Sequence, residues 1–248
     1  MKLSDVRPLR AALVAGPLLL VASLPAAGAE FSVSPIRAEL RAGALNESFT
    51  VTNYAATPLR VTVKLMEWTQ DAEGKDVYRE SSDLIYFPRQ LELPPDARRL
   101  VRVGAKTPGA TVERAYRLYF EDEPPPAPST GRAQVAINFR FGVPVFLPPP
   151  NGAAVPEVTQ PVLEKGRLSV TVRNTGNQHF RLSKVSFTDG AGFTRDVAGW
   201  YSLAGSTRQY ATAVPPEICR SAKAFTITLE GEGLRLDRKL DADPARCQ

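Results

Sequence analysis

Fifteen residues, RAQVAINFRFGVPVF from Arg132 to Phe146, set the strongest limit on how this chain can fold. Val135, Ile137, Phe139, Phe141, Val143 and Val145 share one parity, as side chains on one face of a β-strand do. The other parity holds Gln134, Ala136, Asn138, Arg140, Gly142, Pro144 and Phe146, a mixed set rather than a polar one. An antiparallel strand with one wet face reads apolar on one side and polar on the other. Apolar content on both faces fits a long central strand covered on both sides, or a strand that lends a face to a partner. Proline-rich breaks, EDEPPPAPSTG before and LPPPNG after, bound the stretch.

The same alternation recurs along the chain at a spacing of about ten residues, with turn signals between, which is the pattern of a β-sandwich. FSVSPIRAEL reads as an edge strand interrupted by Pro35, with Ile36, Ala38 and Leu40 on one face and Arg37 on the other. In SFTVTNYAATPLRVTVKLMEW, Phe49 and Val51 are expected to pair with Val61, Val63 and Leu65 as a hairpin. Asp71 to Lys75 is a turn, and Asp83 to Leu93 reads as one extended segment. LELPPDARRLVRV and ERAYRLYFEDE supply two more strands. After Pro148 to Gly152 a second series begins, with Leu168, Val170 and Val172 alternating, then Phe225, Ile227 and Leu229. The 22 prolines and 17 glycines are spread throughout and no segment shows a helical period, so short strands and turns are expected rather than helices. A length of 248 residues allows two domains. The fold class is therefore read as all-β: a first sandwich over residues 30–147, a semi-rigid proline hinge at 148–152, a second sandwich over 153–248, and a cleft between them.

Residues 1–29 carry a targeting signal. Lys2, Arg7 and Arg10 precede an apolar run from Ala11 to Leu24, which ends in the small-residue site Ala27-Gly28-Ala29. The run is too short for a membrane span and ends as a secretory leader does. Its removal takes the net charge from +5 to +3, too mild to argue for nucleic acid. Export places Cys219 and Cys247 in an oxidising compartment, where a disulfide is the default; two free thiols or an intermolecular bridge are the alternatives. Little else suggests chemistry. His179 is the only histidine, in a segment that reads as a solvated turn, and no GxSxG, HExxH or phosphate-loop motif occurs. Glu121, Asp122 and Glu123 read as a solvated charge run. Neither an enzyme nor a metal or cofactor is expected.

Several segments, in order, carry a family resemblance: SPIRAEL, IYFPRQLELPPDARRLVRV, ERAYRLYFEDEP, QVAINFRFGVPVFLPPP, RLSVTVRNTGNQHFRLSKV and WYSLAGSTR. In these the chain resembles the periplasmic chaperones of the chaperone–usher pilus pathway. FGVPVFLPP and NTGNQHFRL look most like the branch serving archaic pili built of spore-coat-U-like subunits. The resemblance implies two immunoglobulin-like domains in a boomerang, a periplasmic location, pilus or fimbrial subunits and an outer-membrane usher as partners, and a possible self-capping dimer when unloaded. It implies a donor strand carrying Val135, Ile137 and Phe139, with Phe141 adding to them. It also implies two basic anchors for a subunit's terminal carboxylate. The first falls on Arg37. The second would fall on Pro144, a departure from the family pattern; Arg140 is the nearest substitute and Arg89 a further candidate. The competing reading is an exported immunoglobulin-like module for adhesion or sugar binding. Exposed loop aromatics would favour it, but Trp68 and Trp200 sit at strand ends where core packing fits better.

Overall fold

The computed structural model describes residues 31–123 and 138–247; residues 1–30, 124–137 and 248, with Val135 and Ile137 among them, lie outside these. The first ten strands are β1 (Phe31–Ser34), β2 (Ala38–Glu39), β3 (Asn46–Asn53), β4 (Leu59–Gln70), β5 (Asp76–Glu80), β6 (Leu84–Phe87), β7 (Gln90–Leu93), β8 (Arg98–Ala105), β9 (Arg114–Asp122) and β10 (Arg140–Leu147). They form two sheets, one in the order β1-β3-β8-β6 and the other β2-β10-β9-β4-β5, with β7 also on β4. The inward parity of each strand fills one core. Phe49, Val51, Val101, Tyr116, Leu118, Phe120 and Val145 in it are fully buried. The chain changes sheets at Pro35 and again at Pro88.

Two expectations are corrected here. Residues 49–65 do not form a hairpin: β3 pairs with β1 and β8, while β4 pairs with β5, β7 and β9 in the facing sheet. Alternation identifies which side of a strand is buried, and it reads the same whether the apolar partner lies beside the strand or across the sandwich. Asp83 to Leu93 is likewise two strands, one in each sheet, separated at Pro88, which cannot donate to a ladder.

The second sandwich comprises β11 (Pro156–Val158), β12 (Val162–Glu164), β13 (Arg167–Asn174), β14 (Phe180–Thr188), β15 (Thr194–Ala198), β16 (Tyr201–Ser202), β17 (Thr207–Ala213), β18 (Ala224–Gly231) and β19 (Leu234–Asp241). β13 carries β11, β12 and β17; β14 carries β15, β16 and β18, and β19 completes that sheet. Leu168, Leu182, Phe187, Phe225 and Ile227 form a core separate from the first. One helix, α1 (Pro216–Ser221), departs from the helix-free expectation. At six residues it is under two turns, too short for a period to show in sequence. Pro216 opens it, and its buried Cys219 bridges to Cys247 in a terminal 3-10 turn. Closing a loop of 28 residues contributes about 3.5 kcal/mol in the chain-entropy model.

The two sandwiches repeat one device. Asn53 ends β3 and Asn174 ends β13, both fully buried. Asn53 Nδ2 donates to the carbonyls of Thr57, Leu93 and Pro94 at 2.9–3.1 Å. Asn174 Nδ2 donates to those of Gln178, Ser202 and Leu203 at 2.8–3.2 Å. Their backbone N–H groups reach Ala97 O and Ser206 O, and the tight turns Pro94–Ala97 and Leu203–Ser206 close alike. One short amide thus satisfies loop carbonyls that burial would otherwise leave unpaired. Asn53→Ala and Asn174→Ala should each lower stability by about 2–4 kcal/mol, since several buried carbonyls lose their donor together. Urea unfolding checks this; a change under about 0.5 kcal/mol, the ordinary surface range, would rule the device out as a structural anchor.

Candidate functional site

β10 is the long two-faced stretch of the sequence, and its neighbours explain both faces. It pairs with β9 along its whole length, Arg140 opposite Glu121 through Leu147 opposite Arg114. On its other side, among the described residues, it pairs only with β2, in parallel, at Val145 and Phe146. Leu40 N–H donates to Phe146 O at 2.8 Å, so the backbone groups of even-numbered residues face this side. From Arg140 to Pro144 this edge has no partner strand among the described residues. Pro144 belongs to the same set, so its missing N–H falls on the open edge and no bond to β9 is lost.

Odd-numbered side chains of β10 point into the first core. Val143, Val145 and Leu147 are buried there, while Phe141 and Phe139 are only partly buried, at the mouth of the sandwich beside the open edge. Phe141 meets Phe31 edge-on, with ring centroids 4.8 Å apart. On the opposite face, Phe146 leaves its own domain's core and joins Trp68, Ala115, Tyr201 and Leu203 in a third cluster between the sandwiches.

His179 stacks on Phe146 with ring centroids 3.7 Å apart and planes 13° from parallel. Its Nδ1 donates to Glu113 Oε1 at 2.7 Å, and its backbone N–H reaches the same oxygen at 2.9 Å. Both side chains are buried, at 5% and 2% exposure, which corrects the expectation of a solvated turn. The segment NTGNQH is therefore a clasp: Glu113 N–H donates to Asn177 O at 2.9 Å and Asn177 Nδ2 to Thr111 O at 3.0 Å. Gly176 has no room for a Cβ, which would lie 2.2 Å from Ala153 O. The far side of the cleft is held by the β4–β5 hairpin. Gln70 exchanges bonds with Tyr201 O and Leu203 N, both at 3.0 Å, and Trp200 Nε1 donates to Asp76 Oδ2 at 2.8 Å.

The candidate anchors fall in different places. Arg37 sits at the cleft, where Nη1 donates to Glu232 Oε2 at 3.1 Å and Nε lies 3.9 Å from Glu39. Partial burial acts to lower its pKa, but these two carboxylates outweigh it and the net direction is upward. Arg140 lies five residues before Val145, about 17 Å along the strand from the β2 end. It bridges Glu121 at 2.8 Å and covers the Tyr119 ring at 3.7 Å, so it does not converge with Arg37. Glu121 also holds Lys64 at 2.6 Å and raises its pKa. Arg89 lies over Tyr86. Burial pushes the pKa of Tyr78, beside Trp68, upward. Sequence reasoning missed Arg117, which is buried under β10, donates from Nη1 to Gly142 O at 2.9 Å and covers Trp68 at 4.1 Å. A lone arginine on the outer parity of ERAYRLYF was its only signal.

Residues 30–153 match the family model described as pili and flagellar-assembly chaperone, PapD N-terminal domain. The chain belongs to that family. Solved structures agree in fold. The chaperone–tip subunit pre-assembly complex CsuC–CsuE of archaic Csu pili from Acinetobacter baumannii matches at 20% identity, with a TM-score of 0.58 over 84% of this chain and 97% of that one. The CupB2 chaperone of Pseudomonas aeruginosa matches at 15% identity and TM-score 0.56, over 86% and 100%. The SafA pilin–SafB chaperone complex of Salmonella enterica matches at 13% and 0.54, over 85% and 96%. No curated protein matches the chain. Membership of a chaperone family leaves the adhesion or sugar-binding reading unfavoured.

The buried clasp makes a measurable claim. Glu113→Ala leaves His179 with two donors and no acceptor, and should cost about 2–3 kcal/mol. Small-angle scattering should also show a wider spread of interdomain angles. Unchanged unfolding together with an unchanged scattering profile would mean that the clasp does not set the cleft.

Proposed function

We propose that this chain works in the periplasm, reached through the leader at residues 1–29, and caps pilus or fimbrial subunits by donor-strand complementation before passing them to an outer-membrane usher. The observation that carries this reading is the bare edge of β10 from Arg140 to Pro144, flanked by half-buried Phe139 and Phe141. A subunit lacking its last strand exposes a hydrophobic groove and unpaired backbone, which invites aggregation. A lent strand supplies backbone hydrogen bonds, and alternate side chains fill the groove. Val135, Ile137, Phe139 and Phe141 are the side chains assigned to that task, the first two outside the described residues. Arg37 is assigned the subunit's terminal carboxylate, since a guanidinium offers two parallel donors to it. The complexes CsuC–CsuE and SafA–SafB, each of a chaperone with its subunit, support the choice of partner. Without a subunit, the same edge is free to pair with a second copy.

The test compares three residues of one parity in the sequence, Ile137, Phe139 and Val145. Phe139→Asp and Ile137→Asp should abolish recovery of soluble subunit from the periplasm, because a carboxylate would enter an apolar groove unpaired. They should lower the stability of the free protein by only about 1 kcal/mol. Val145→Asp, in the sealed core, should cost about 4 kcal/mol or more. Melting curves at several concentrations separate monomer stability from self-capping. If Phe139→Asp destabilises the free protein as much as Val145→Asp does, or leaves subunit recovery intact, the donor-strand reading fails.

A further inference from the structure

Arg37 is assigned above to a subunit's terminal carboxylate, and its surroundings in the cleft point to a second cation. His179, the residue just before β14, and Arg181 within it share one parity. His179 is stacked on Phe146, so this face of β14 looks toward the first sandwich. Arg181 pairs in register with Tyr201, and its guanidinium lies 5.5 Å from that ring. The Tyr201 ring in turn lies 5.7 Å from that of Phe146. Arg37, just before β2, lies 3.9 Å from Glu39, and Glu39 is level with Phe146. Both arginines therefore flank one Phe146–His179–Tyr201 cluster, one from each sandwich. Arg181 is exposed and makes no ion pair with any described residue.

Glu232 stands beside them. It occupies the tip of a two-residue turn between Gly231 and Leu234, which pair, and Gly233 takes the positive φ of +67° that the turn requires. Gly231 packs against the backbone of Arg181, so the turn is seated next to it. From there Glu232 Oε2 accepts from Arg37 at 3.1 Å. A carboxylate of the second sandwich thus holds the guanidinium assigned to a subunit's chain end. It is two-thirds exposed, on a short tip with no other described partner.

We infer that Arg181 is the second cation of the carboxylate site, and that Glu232 is an internal carboxylate that holds Arg37 until a chain end displaces it. This rests on the reading of Arg37 as an anchor. It accounts for the absence of a basic residue at Pro144: the cleft supplies its second cation from the other domain. The exchange is of one carboxylate for another, so it leaves the buried contacts of the cleft intact. The incoming carboxylate binds more tightly because it meets two arginines where Glu232 meets one.

The probe is an acetylated decapeptide of alternating valine and threonine, made with a free terminal carboxylate and as the amide, titrated against the exported chain. The wild type should prefer the free acid by about tenfold, because only that peptide brings a charged group to the arginines. Arg37→Ala should erase that preference. If the wild type shows none, or it survives Arg37→Ala, the anchor reading falls and this inference with it. Arg181→Gln should cut the preference by about fivefold, with Arg181→Lys restoring most of it and melting curves unchanged. A preference that needs Arg37 but ignores Arg181→Gln would overturn the inference and leave the anchor standing. Glu232→Ala should tighten the free acid by about two- to fivefold and the amide not at all. Unaltered or weaker binding of the free acid by this variant would dismiss the stand-in role.

Discussion

The stack of His179 on Phe146 ties together everything this protein needs from its geometry. Phe146 belongs to β10, whose odd-numbered side chains are already committed to the first core. Its even-numbered face is thereby free to meet the second domain. The contact fixes where the second sandwich sits relative to the open edge of β10 and to Arg37. It could not be polar and solvated, because a water-filled cleft would let the domains swing. It is instead a packed aromatic cluster sealed by a buried histidine–glutamate pair and by backbone bonds from NTGNQH.

The two sandwiches share one plan, down to the asparagines that cap their loops, yet they treat their last strands differently. β19 is also an edge strand, but Arg235, Asp237, Lys239 and Asp241 alternate along its exposed face. Charges on an edge discourage pairing with other chains. The Cys219–Cys247 bridge ties down the short turn that follows. Over its partnerless stretch β10 lacks that alternation of charges: it has one arginine, bridged back to Glu121, then Phe141, Gly142, Val143 and Pro144. The same architecture thus holds one edge shut and offers the other. On the proposed function, this difference is what makes the exposed strand of one sandwich its working part.

Electrostatics around the cleft follow from which charges are buried. Arg117 and Glu113 lie inside, held by Gly142 O and by His179, and act as parts of the framework. Arg37, Arg181 and Glu232 remain open to solvent, where exchange of one partner for another costs little. A site meant to bind and release a chain end has to sit among the second group.

Local alternation was enough to read the all-β class, the inward residues of nearly every strand and the two series of strands on either side of the prolines. It also marked β10 as different, because period two shows a strand's faces directly in the order of residues. The family segments, quoted in order, placed Arg37 at the cleft. What alternation could not supply was the partner of each strand. Phe49 to Leu65 looks like a hairpin in sequence and is two facing sheets in space, since burial against a neighbour and burial across a sandwich leave the same pattern. His179 looked like a turn residue because its acceptor lies 66 positions away and its stacking partner in another domain. Arg140 seemed a substitute anchor by parity, but distance along the strand takes it away from Arg37. The sequence by itself determined which side chains must be hidden; only the tertiary structure decided what hides them, because a buried surface is indifferent to the chain order of the atoms that cover it.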